Sequence, residues 1–302
     1  MGIVEQSFSS GEVIIREGDI GNSFFRILDG NVGVYSDYGK KEQFRIAVLK
    51  SGDYFGEMAV IEEYPRSATI VAECSVRVLE ITENALNQYF SENPDEVIKF
   101  VTHLGNKVRT MVNDYNDAQA LLKETREAET NKKNKLLFFK IKKHATQYEP
   151  SKQVISEPNP DKIRKAFEEI TDEGPGRIGA FDNGAIIFEK GQEDNCLCIV
   201  RGGKVGLYDN YGTPEQVKTK ELTDVSFFGE MGMLADQPRE CTAVAESDET
   251  YVEFIYKDDL ASVCEACPVK IDMIVRYLSY RLRRLTADFV EICKQITESY
   301  NK

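Results

Sequence analysis

Short runs of alternating apolar and polar residues fill two long parts of the chain. In the first part the runs are GEVIIREG, SFFRILDGNVGVY, FRIAVLKSGDYFG and ATIVAECSVRVLEI, and Gly, Asp and Asn residues interrupt them. Alternation with a period of two is typical of half-buried β-strands, and about six to eight such strands favour a jelly roll or a sandwich. The pattern therefore predicts a β-rich α+β chain built on jelly-roll β-barrels.

The strand pattern occurs twice. A shift of 173 residues aligns Gly11 with Gly184 and continues without a gap to Glu73, which aligns with Glu246. This period is much longer than that of a solenoid repeat, so each copy is predicted to be a separate domain. We predict a first domain over 1–123, a charged linker over 124–180 and a second domain over 181–302.

The predicted linker differs in composition from both copies. It is rich in Lys, Glu, Asn and Pro, and it contains a basic run, KKNKLLFFKIKK, at 132–143. Such a run can bind an acidic partner or an anionic membrane surface, or it can simply offset the charge of an acidic protein, and both interpretations stay open. A short amphipathic helix, DKIRKAFEEITD, is predicted to lead into the second barrel.

Helices are predicted to follow the strands of each copy. The first copy predicts one helix from about Glu83 to Phe90 and a long helix from Pro94, because proline fits the first turn of a helix. The second copy predicts the equivalent long helix from Pro268. Both long helices carry apolar residues in alternating steps of four and three, the seam of a coiled coil. The seam residues are Val97, Val101, Leu104, Val108, Met111, Tyr115, Ala118 and Leu122, and Ile271, Val275, Leu278, Leu282, Leu285, Phe289, Ile292 and Ile296.

The two seams align at an offset of 174 residues, one more than the offset of the strands. The helices can therefore pair in parallel inside one chain, giving a monomer with an intramolecular pseudo-dimer of long helices. The alternatives are that each seam packs on its own barrel, or that two chains form a homodimer.

The loop YFGEMAVIEEYPRSAT carries the sharpest chemical signal. Its Phe-Gly-Glu-Met-Ala stretch can form one helical turn whose backbone NH groups point at an anion, and Gly56 allows a ligand close to the backbone. Arg66 follows Glu57 by nine residues and can bind two phosphate oxygens at once. Because a carboxylate repels a phosphate, we expect Glu57 to accept a hydrogen bond from a sugar hydroxyl, to hold Arg66 in position, or both. The second copy, FFGEMGMLADQPRECT, places Glu230 and Arg239 at the same spacing.

These loops, F-G-E-M-A…P-R-S-A-T and F-G-E-M-G…P-R-E-C-T, together with the Gly-spaced early strands, resemble the cyclic nucleotide-binding domain family over nearly all of both repeats. The resemblance implies that cAMP or cGMP is the ligand, that Glu57 and Glu230 bind the ribose 2′-hydroxyl, and that Arg66 and Arg239 bind the cyclic phosphate. It implies that backbone NH groups of Met58, Ala59, Met231 and Gly232 complete the anion site. The full set of implied ligand-binding residues is Gly56, Glu57, Met58, Ala59, Arg66, Ser67 and Ala68, and Gly229, Glu230, Met231, Gly232, Arg239, Glu240 and Cys241.

The residue after each arginine differs between the copies. Ser67 follows Arg66, and in the family a hydroxyl here can contact a guanine edge, so cGMP stays open as a ligand of the first site. Glu240 follows Arg239 and departs from the family pattern, so the base preference of the second site stays open.

Composition narrows the class of protein. The net charge of −13 argues against a DNA partner, because duplex binding depends on excess Lys and Arg. The chain has no run of 18 apolar residues and no basic segment before an apolar one at its start, so we expect neither a membrane span nor secretion. Seven cysteines without an export signal are expected to be reduced thiols in a cytoplasmic protein.

The chain lacks the clustered histidines that metal catalysis in a jelly roll needs. Jelly rolls also occur in cupin enzymes, whose metal needs clustered imidazoles, whereas this chain has only His103 and His144. A zinc site would require two cysteine pairs to meet, and we expect Cys196 and Cys198 to belong to the core instead. We therefore predict a non-catalytic regulatory adaptor in signal transduction that passes ligand occupancy through its long helices to an unidentified protein partner. The alternatives are a kinase regulatory-subunit-like protein, or a structural scaffold in which one or both pockets no longer bind.

Overall fold

The computed structural model describes residues 2–41, 43–57, 65–127, 177–223, 225–235 and 237–300. The basic run at 132–143 and the predicted linker helix therefore lie outside the described residues.

The first copy contains two four-stranded antiparallel sheets. Its strands are β1 (Ile3–Phe8), β2 (Val13–Ile15), β3 (Ser23–Asp29), β4 (Asn31–Ser36), β5 (Phe44–Lys50), β6 (Tyr54–Phe55), β7 (Thr69–Ala72) and β8 (Val76–Thr82). One sheet has the order β1-β8-β3-β6 and the other β2-β7-β4-β5. Apolar side chains from both sheets, including Phe25, Phe55, Val32 and Ile70, form one core. Strand β8 shows the alternation of the sequence, with Val76 and Val78 buried and Arg77 between them exposed.

The second copy repeats this topology. Its strands are β9 (Arg177–Phe181), β10 (Ile186–Phe188), β11 (Cys196–Gly202), β12 (Val205–Asp209), β13 (Val217–Leu222), β14 (Phe227–Phe228), β15 (Thr242–Ala245) and β16 (Thr250–Tyr256). The sheet orders are β14-β11-β16-β9 and β10-β15-β12-β13, which match the first copy strand for strand. The prediction of two jelly-roll barrels in a β-rich α+β chain is confirmed.

The first strand of each copy was not predicted from the sequence. Strand β1 pairs with β8 along its whole length, and β9 pairs with β16 from Arg177 to Phe181. Strand β9 thus begins before residue 181, where we predicted the second domain to start. The segments IVEQSF and RIGAF show only weak alternation. They form strands because they pair by long-range hydrogen bonds with β8 and β16, the last strand of each copy along the chain.

A single inserted residue explains the two offsets of the repeat. The turn between β7 and β8 consists of residues 73–75, whereas the turn between β15 and β16 consists of residues 246–249. The longer turn ends at Glu249, which adopts a left-handed conformation with φ 57°. All later elements are therefore shifted by 174 residues instead of 173.

The predicted helices are present. The first copy continues with a short 3-10 turn (Glu83–Ala85), α1 (Leu86–Glu92) and the long α2 (Pro94–Glu127). The second copy has α3 (Glu230–Ala235), a 3-10 turn (Lys257–Asp259), α4 (Leu260–Ala266) and the long α5 (Pro268–Tyr300). Both long helices begin at the predicted prolines. The seam residues are buried except Tyr115 and Leu285, which are half-buried.

The described residues divide into two compact units. One unit holds the first barrel, α2 from Thr110 onward and α5 from Leu278 onward. A cleft of about 680 Å³ in this unit is lined by both helices, through Tyr115, Gln119 and neighbouring residues of α2 and through Ile292 and Gln295 of α5. The two helices therefore lie side by side in one chain, at the level that an offset of 174 predicts.

The other unit holds the second barrel, residues Phe90–Arg109 and α5 up to Tyr277. In this unit Gly105 of α2 lies against Leu234 of α3, so closely that a Cβ on Gly105 would come within 3.0 Å of the Leu234 side chain. The long helix of the first copy thus packs on the short helix of the second copy.

Gly105→Ala should lower stability despite the better helix propensity of alanine. Alanine gains about 1 kcal/mol of propensity, but overpacking against Leu234 should cost about 1–3 kcal/mol. Thermal unfolding followed by circular dichroism checks the sign, with the exposed neighbour Asn106→Ala as the control. A higher unfolding temperature for Gly105→Ala than for the wild type would contradict the packing.

Candidate functional site

The second loop begins at the end of strand β14. Gly229 has φ 71°, a left-handed conformation that glycine adopts without strain, and helix α3 starts at the next residue, Glu230. The backbone NH of Gly232 donates to the carbonyl of Gly229 at 3.2 Å. The Gly-Glu stretch therefore forms the tight helical turn that the sequence predicts.

Arg239 folds back onto this turn and is only 4% exposed. Its Nη1 donates to the carbonyl of Gly229, and its Nη2 donates to Oδ2 of Asp194 at 3.0 Å and to Sγ of Cys196 at 3.0 Å. The guanidinium lies 4.3 Å above the ring of Phe188. Burial lowers the pKa of Arg239, but the sulfurs of Cys198 and Cys196 where they are ionised, and the hydrogen bond and charge of Asp194, outweigh burial and raise this pKa overall.

Arg66 takes the equivalent position in the first copy and is 7% exposed. Its Nη1 donates to the carbonyl of Gly56 at 2.6 Å, and Gly56 has φ 79°. Burial lowers the pKa of Arg66, against the opposing charges of Glu57, Glu80 and Asp19. Both arginines thus turn toward their Gly-Glu turns and away from bulk water.

The two predicted glutamates are buried, with Glu57 0% and Glu230 1% exposed. The hydroxyl of Tyr277, on helix α5, donates to Oε2 of Glu230 at 3.2 Å. The ring of Tyr277 stacks on Phe227 at a centroid distance of 4.8 Å, and burial raises the pKa of the Tyr277 hydroxyl. The carboxylate of the second loop is therefore bonded directly to the long helix.

The remaining predicted residues differ in position. Met58 and Ala59 lie outside the described residues, and Met231 and Gly232 lie buried in the first turn of α3. Ser67 is exposed and Ala68 half-buried, and Glu240 is exposed beside the half-buried Cys241. Although Glu240 lies at the surface, loss of hydration and the charge of Asp209 raise its pKa. Burial, and then the charge of Glu240, raises the pKa of Cys241 to about 11.

The partners of Arg239 were not predicted from the sequence. Asp194, Cys196 and Phe188 precede the loop in sequence, and Asp194 aligns with Gly21, which has no side chain. A Cβ on Gly21 would lie 2.5 Å from Nη2 of Arg66, so the first copy leaves this space to the guanidinium. The only signal in the sequence was this mismatch within the repeat. The expectation that Cys196 and Cys198 are buried is confirmed.

The part of the chain that the structure describes has no side-chain cluster for a metal ion and no helix for a membrane span. No group of three or more His, Cys, Asp or Glu residues is arranged to hold a metal ion there. No described helix combines the length and apolar character needed to cross a membrane.

Comparison with known proteins gives family matches on both copies. The model of the cyclic nucleotide-binding domain matches residues 5–93 and 179–267. The cAMP-dependent protein kinase regulatory subunit of Hypocrea atroviridis is 35% identical over 83 residues, which cover 28% of this chain and 17% of that protein. The cGMP-dependent protein kinase of Plasmodium berghei is 39% identical over 84 residues, which cover 28% of this chain and 9% of that protein. The matched segments are thus a small part of these relatives.

Two solved structures can be aligned with the chain at low identity. A cAMP-bound PfPKA-R (141–441) shows 19% identity and a TM-score of 0.35, covering 89% of this chain and 75% of that chain. The regulatory domain of Toxoplasma gondii PKA with cAMP shows 17% identity and a TM-score of 0.27, covering 89% and 85%. Because the family model matches more than half of the residues, the chain belongs to the cyclic nucleotide-binding domain family and carries two domains of that family.

Proposed function

We propose that this protein is a non-catalytic cyclic nucleotide sensor with two ligand sites for cAMP or cGMP. One observation carries the proposal. In both copies a buried arginine, nine residues after the glutamate of a Gly-Glu turn, folds back and donates to the carbonyl of the turn's glycine. Two barrels with different cores share this arrangement, which favours a common task for the arginine.

The roles follow from charge and geometry. Arg66 and Arg239 bind the cyclic phosphate, because a guanidinium can donate two parallel hydrogen bonds to phosphate oxygens. Glu57 and Glu230 accept a hydrogen bond from the ribose 2′-hydroxyl. The chain as a whole carries a charge of −13 and repels an anion, so binding depends on these buried cations.

Occupancy of the second site is transmitted through Tyr277. Its hydroxyl bonds to the carboxylate that we assign to the ribose, so a ligand hydroxyl and Tyr277 interact with the same group. A ligand that favours one arrangement of Glu230 therefore also favours one position of Tyr277, and with it one position of α5. The residue equivalent to Tyr277 in the first copy is His103, which belongs to the unit of the second barrel, so we propose this link for the second site.

The sites are expected to differ in base preference. The exposed hydroxyl of Ser67 next to Arg66 allows cGMP at the first site. At the second site Glu240 adds a carboxylate near Asp209, and this negative charge disfavours an anionic ligand. Glu240 also lacks the hydroxyl that Ser67 offers at the first site.

The downstream role is regulation of a protein partner in the cytoplasm. The similarity to a cAMP-dependent protein kinase regulatory subunit supports a kinase regulatory-subunit-like protein as the second candidate. The shared cleft of α2 and α5 favours a monomer with paired helices over a homodimer. Sedimentation as a dimer, with crosslinks between equivalent helices of different chains, would contradict the monomer.

Calorimetry with cAMP, cGMP and AMP tests the sensor. We expect at least one cyclic nucleotide to bind, with AMP weaker because its phosphate carries a second negative charge and lacks the ring. If neither cyclic nucleotide binds at tens of micromolar, which is about 6 kcal/mol of binding free energy, the structural scaffold replaces the sensor.

A further inference from the structure

A thiol contacts the phosphate-binding arginine of the second copy only. Sγ of Cys196 lies 3.0 Å from Nη2 of Arg239 and 3.4 Å from Oδ2 of Asp194. The side chain of Cys196 is 0% exposed, and so is that of Cys198, two residues along the same face of strand β11. Arg239 therefore contacts a carboxylate and a sulfur on the side of Nη2 and the Gly229 carbonyl on the side of Nη1.

The first copy serves as an internal control. Cys196 aligns with Ser23, Cys198 with Phe25 and Asp194 with Gly21. Arg66 consequently has neither a thiol nor a carboxylate in these equivalent positions. Any property of the second site that depends on Cys196 should be missing from the first.

We propose that the Cys196 thiolate and the phosphate of the ligand compete for the guanidinium of Arg239, so that nucleotide binding at the second site takes up one proton onto Cys196. The inference rests on the proposed function of the second loop. The proton comes from the buffer and converts the thiolate to a thiol, and no other bond forms or breaks.

Charge accounts for the direction of the effect. Thiolate, Asp194 and Arg239 together carry a charge of −1, and a bound cyclic phosphate would make it −2 inside a buried site, where unpaired charge is costly. Protonation of Cys196 restores −1. By linkage, a ligand that favours the thiol must bind more weakly wherever the thiolate predominates.

The groups around Cys196 shift its pKa in opposite directions. The hydrogen bond with Cys198, the largest cause, and the charge of Arg239 lower the pKa of Cys196, while burial and Asp194 raise it, and the net shift is downward. Tyr256 lies opposite Cys196 on β16, with Arg177 over its ring at 5.1 Å. The pKa of Cys198 is raised, first by burial, so Cys198 remains the thiol that donates.

The affinity of the second site should fall as the pH rises through the pKa of Cys196 in the free protein. The loss should be about tenfold for each unit by which ligand binding raises this pKa. The first site should show no such loss, because Ser23 does not titrate.

Calorimetry of separated sites tests the proposal. Arg66→Ala removes binding at the first site, so that only the second site is measured. Arg239→Ala removes binding at the second site, so that only the first site is measured. Each is titrated with cAMP at about pH 8.5 in two buffers of different ionisation enthalpy. We expect Arg66→Ala to take up a proton, up to one per nucleotide, and Arg66→Ala with Cys196→Ser, the residue of the first copy, to lose that uptake.

Equal uptake with and without Cys196→Ser would overturn the inference. Circular dichroism checks that each variant is folded, and Cys196→Ala replaces any serine variant that is not.

A measurement without ligand separates this inference from the proposed function. Cysteine labelled at Cβ with carbon-13 reports the ionisation of Cys196 by NMR, which needs no access of a reagent to the buried sulfur. In the free protein Cys196 should titrate at lower pH in the wild type than in Arg239→Met. The same midpoint in both proteins overturns the inference even if nucleotide binds. A lower midpoint in the wild type together with no nucleotide binding at any pH instead rejects the proposed function of the second site.

Discussion

Arg66→Ala should abolish most cyclic nucleotide binding at the first site while the second site keeps its affinity. Arg66 is buried and turned toward the Gly56 carbonyl, so a bound phosphate would replace solvent around a fixed guanidinium. Removing one member of a buried charge pair costs about 2–5 kcal/mol, which corresponds to roughly 30- to 5,000-fold in affinity. Calorimetry with cAMP, and separately with cGMP, measures the loss and the number of remaining sites.

Two matched variants show which property of the arginine accounts for the loss of binding. Arg66→Lys keeps the positive charge but loses the two parallel donors, so it should bind with intermediate affinity. Arg239→Ala should give the reciprocal result. If Arg66→Ala binds the nucleotide with unchanged stoichiometry and affinity, Arg66 does not contact the ligand, and the sensor function loses its main support.

Lys270→Met should cause the largest loss of stability in the second unit. Lys270, in the first turns of α5, is 3% exposed, and its Nζ lies 2.8 Å from Oε1 of Glu253. Arg201 contacts the other carboxylate oxygen of Glu253 at 2.5 Å. Breaking such a buried pair costs about 3–5 kcal/mol, because Glu253 would keep a buried charge with one cation fewer. Thermal unfolding monitored by calorimetry should show the transition of the second unit at a lower temperature.

The first copy shows how to repair this defect. Its register places Leu79 opposite Glu5, as Glu253 lies opposite Ile178, so an apolar residue is accepted at this position of the barrel. Adding Glu253→Leu to Lys270→Met removes the buried carboxylate. Because the side chain of Arg201 is 24% exposed and can reach water, the double variant should regain part of the lost stability. A double variant no more stable than Lys270→Met would show that the packing of Lys270 matters more than its charge.

Features that depend on neighbouring residues were predictable from the sequence. The Gly-Glu turn and its arginine lie within ten residues, and the glycine conformations and the guanidinium follow from residue type. The prolines that begin the long helices and the apolar seams are equally local signals. Strands β1 and β9 were not predicted, because hydrogen bonds to β8 and β16, far along the chain, stabilise them, and such distant partners leave no local pattern in the sequence.

The sequence by itself determined that there are two jelly-roll barrels, where each Gly-Glu turn begins, and that two long helices carry matching apolar seams. Only the tertiary structure decided that Asp194 and Cys196 surround Arg239, that Tyr277 bonds to Glu230, and that the first half of α2 packs with the second barrel. The reason is physical: residue type and period fix local conformation, whereas the pairing of strands and the packing of helices bring together side chains that share no pattern along the chain.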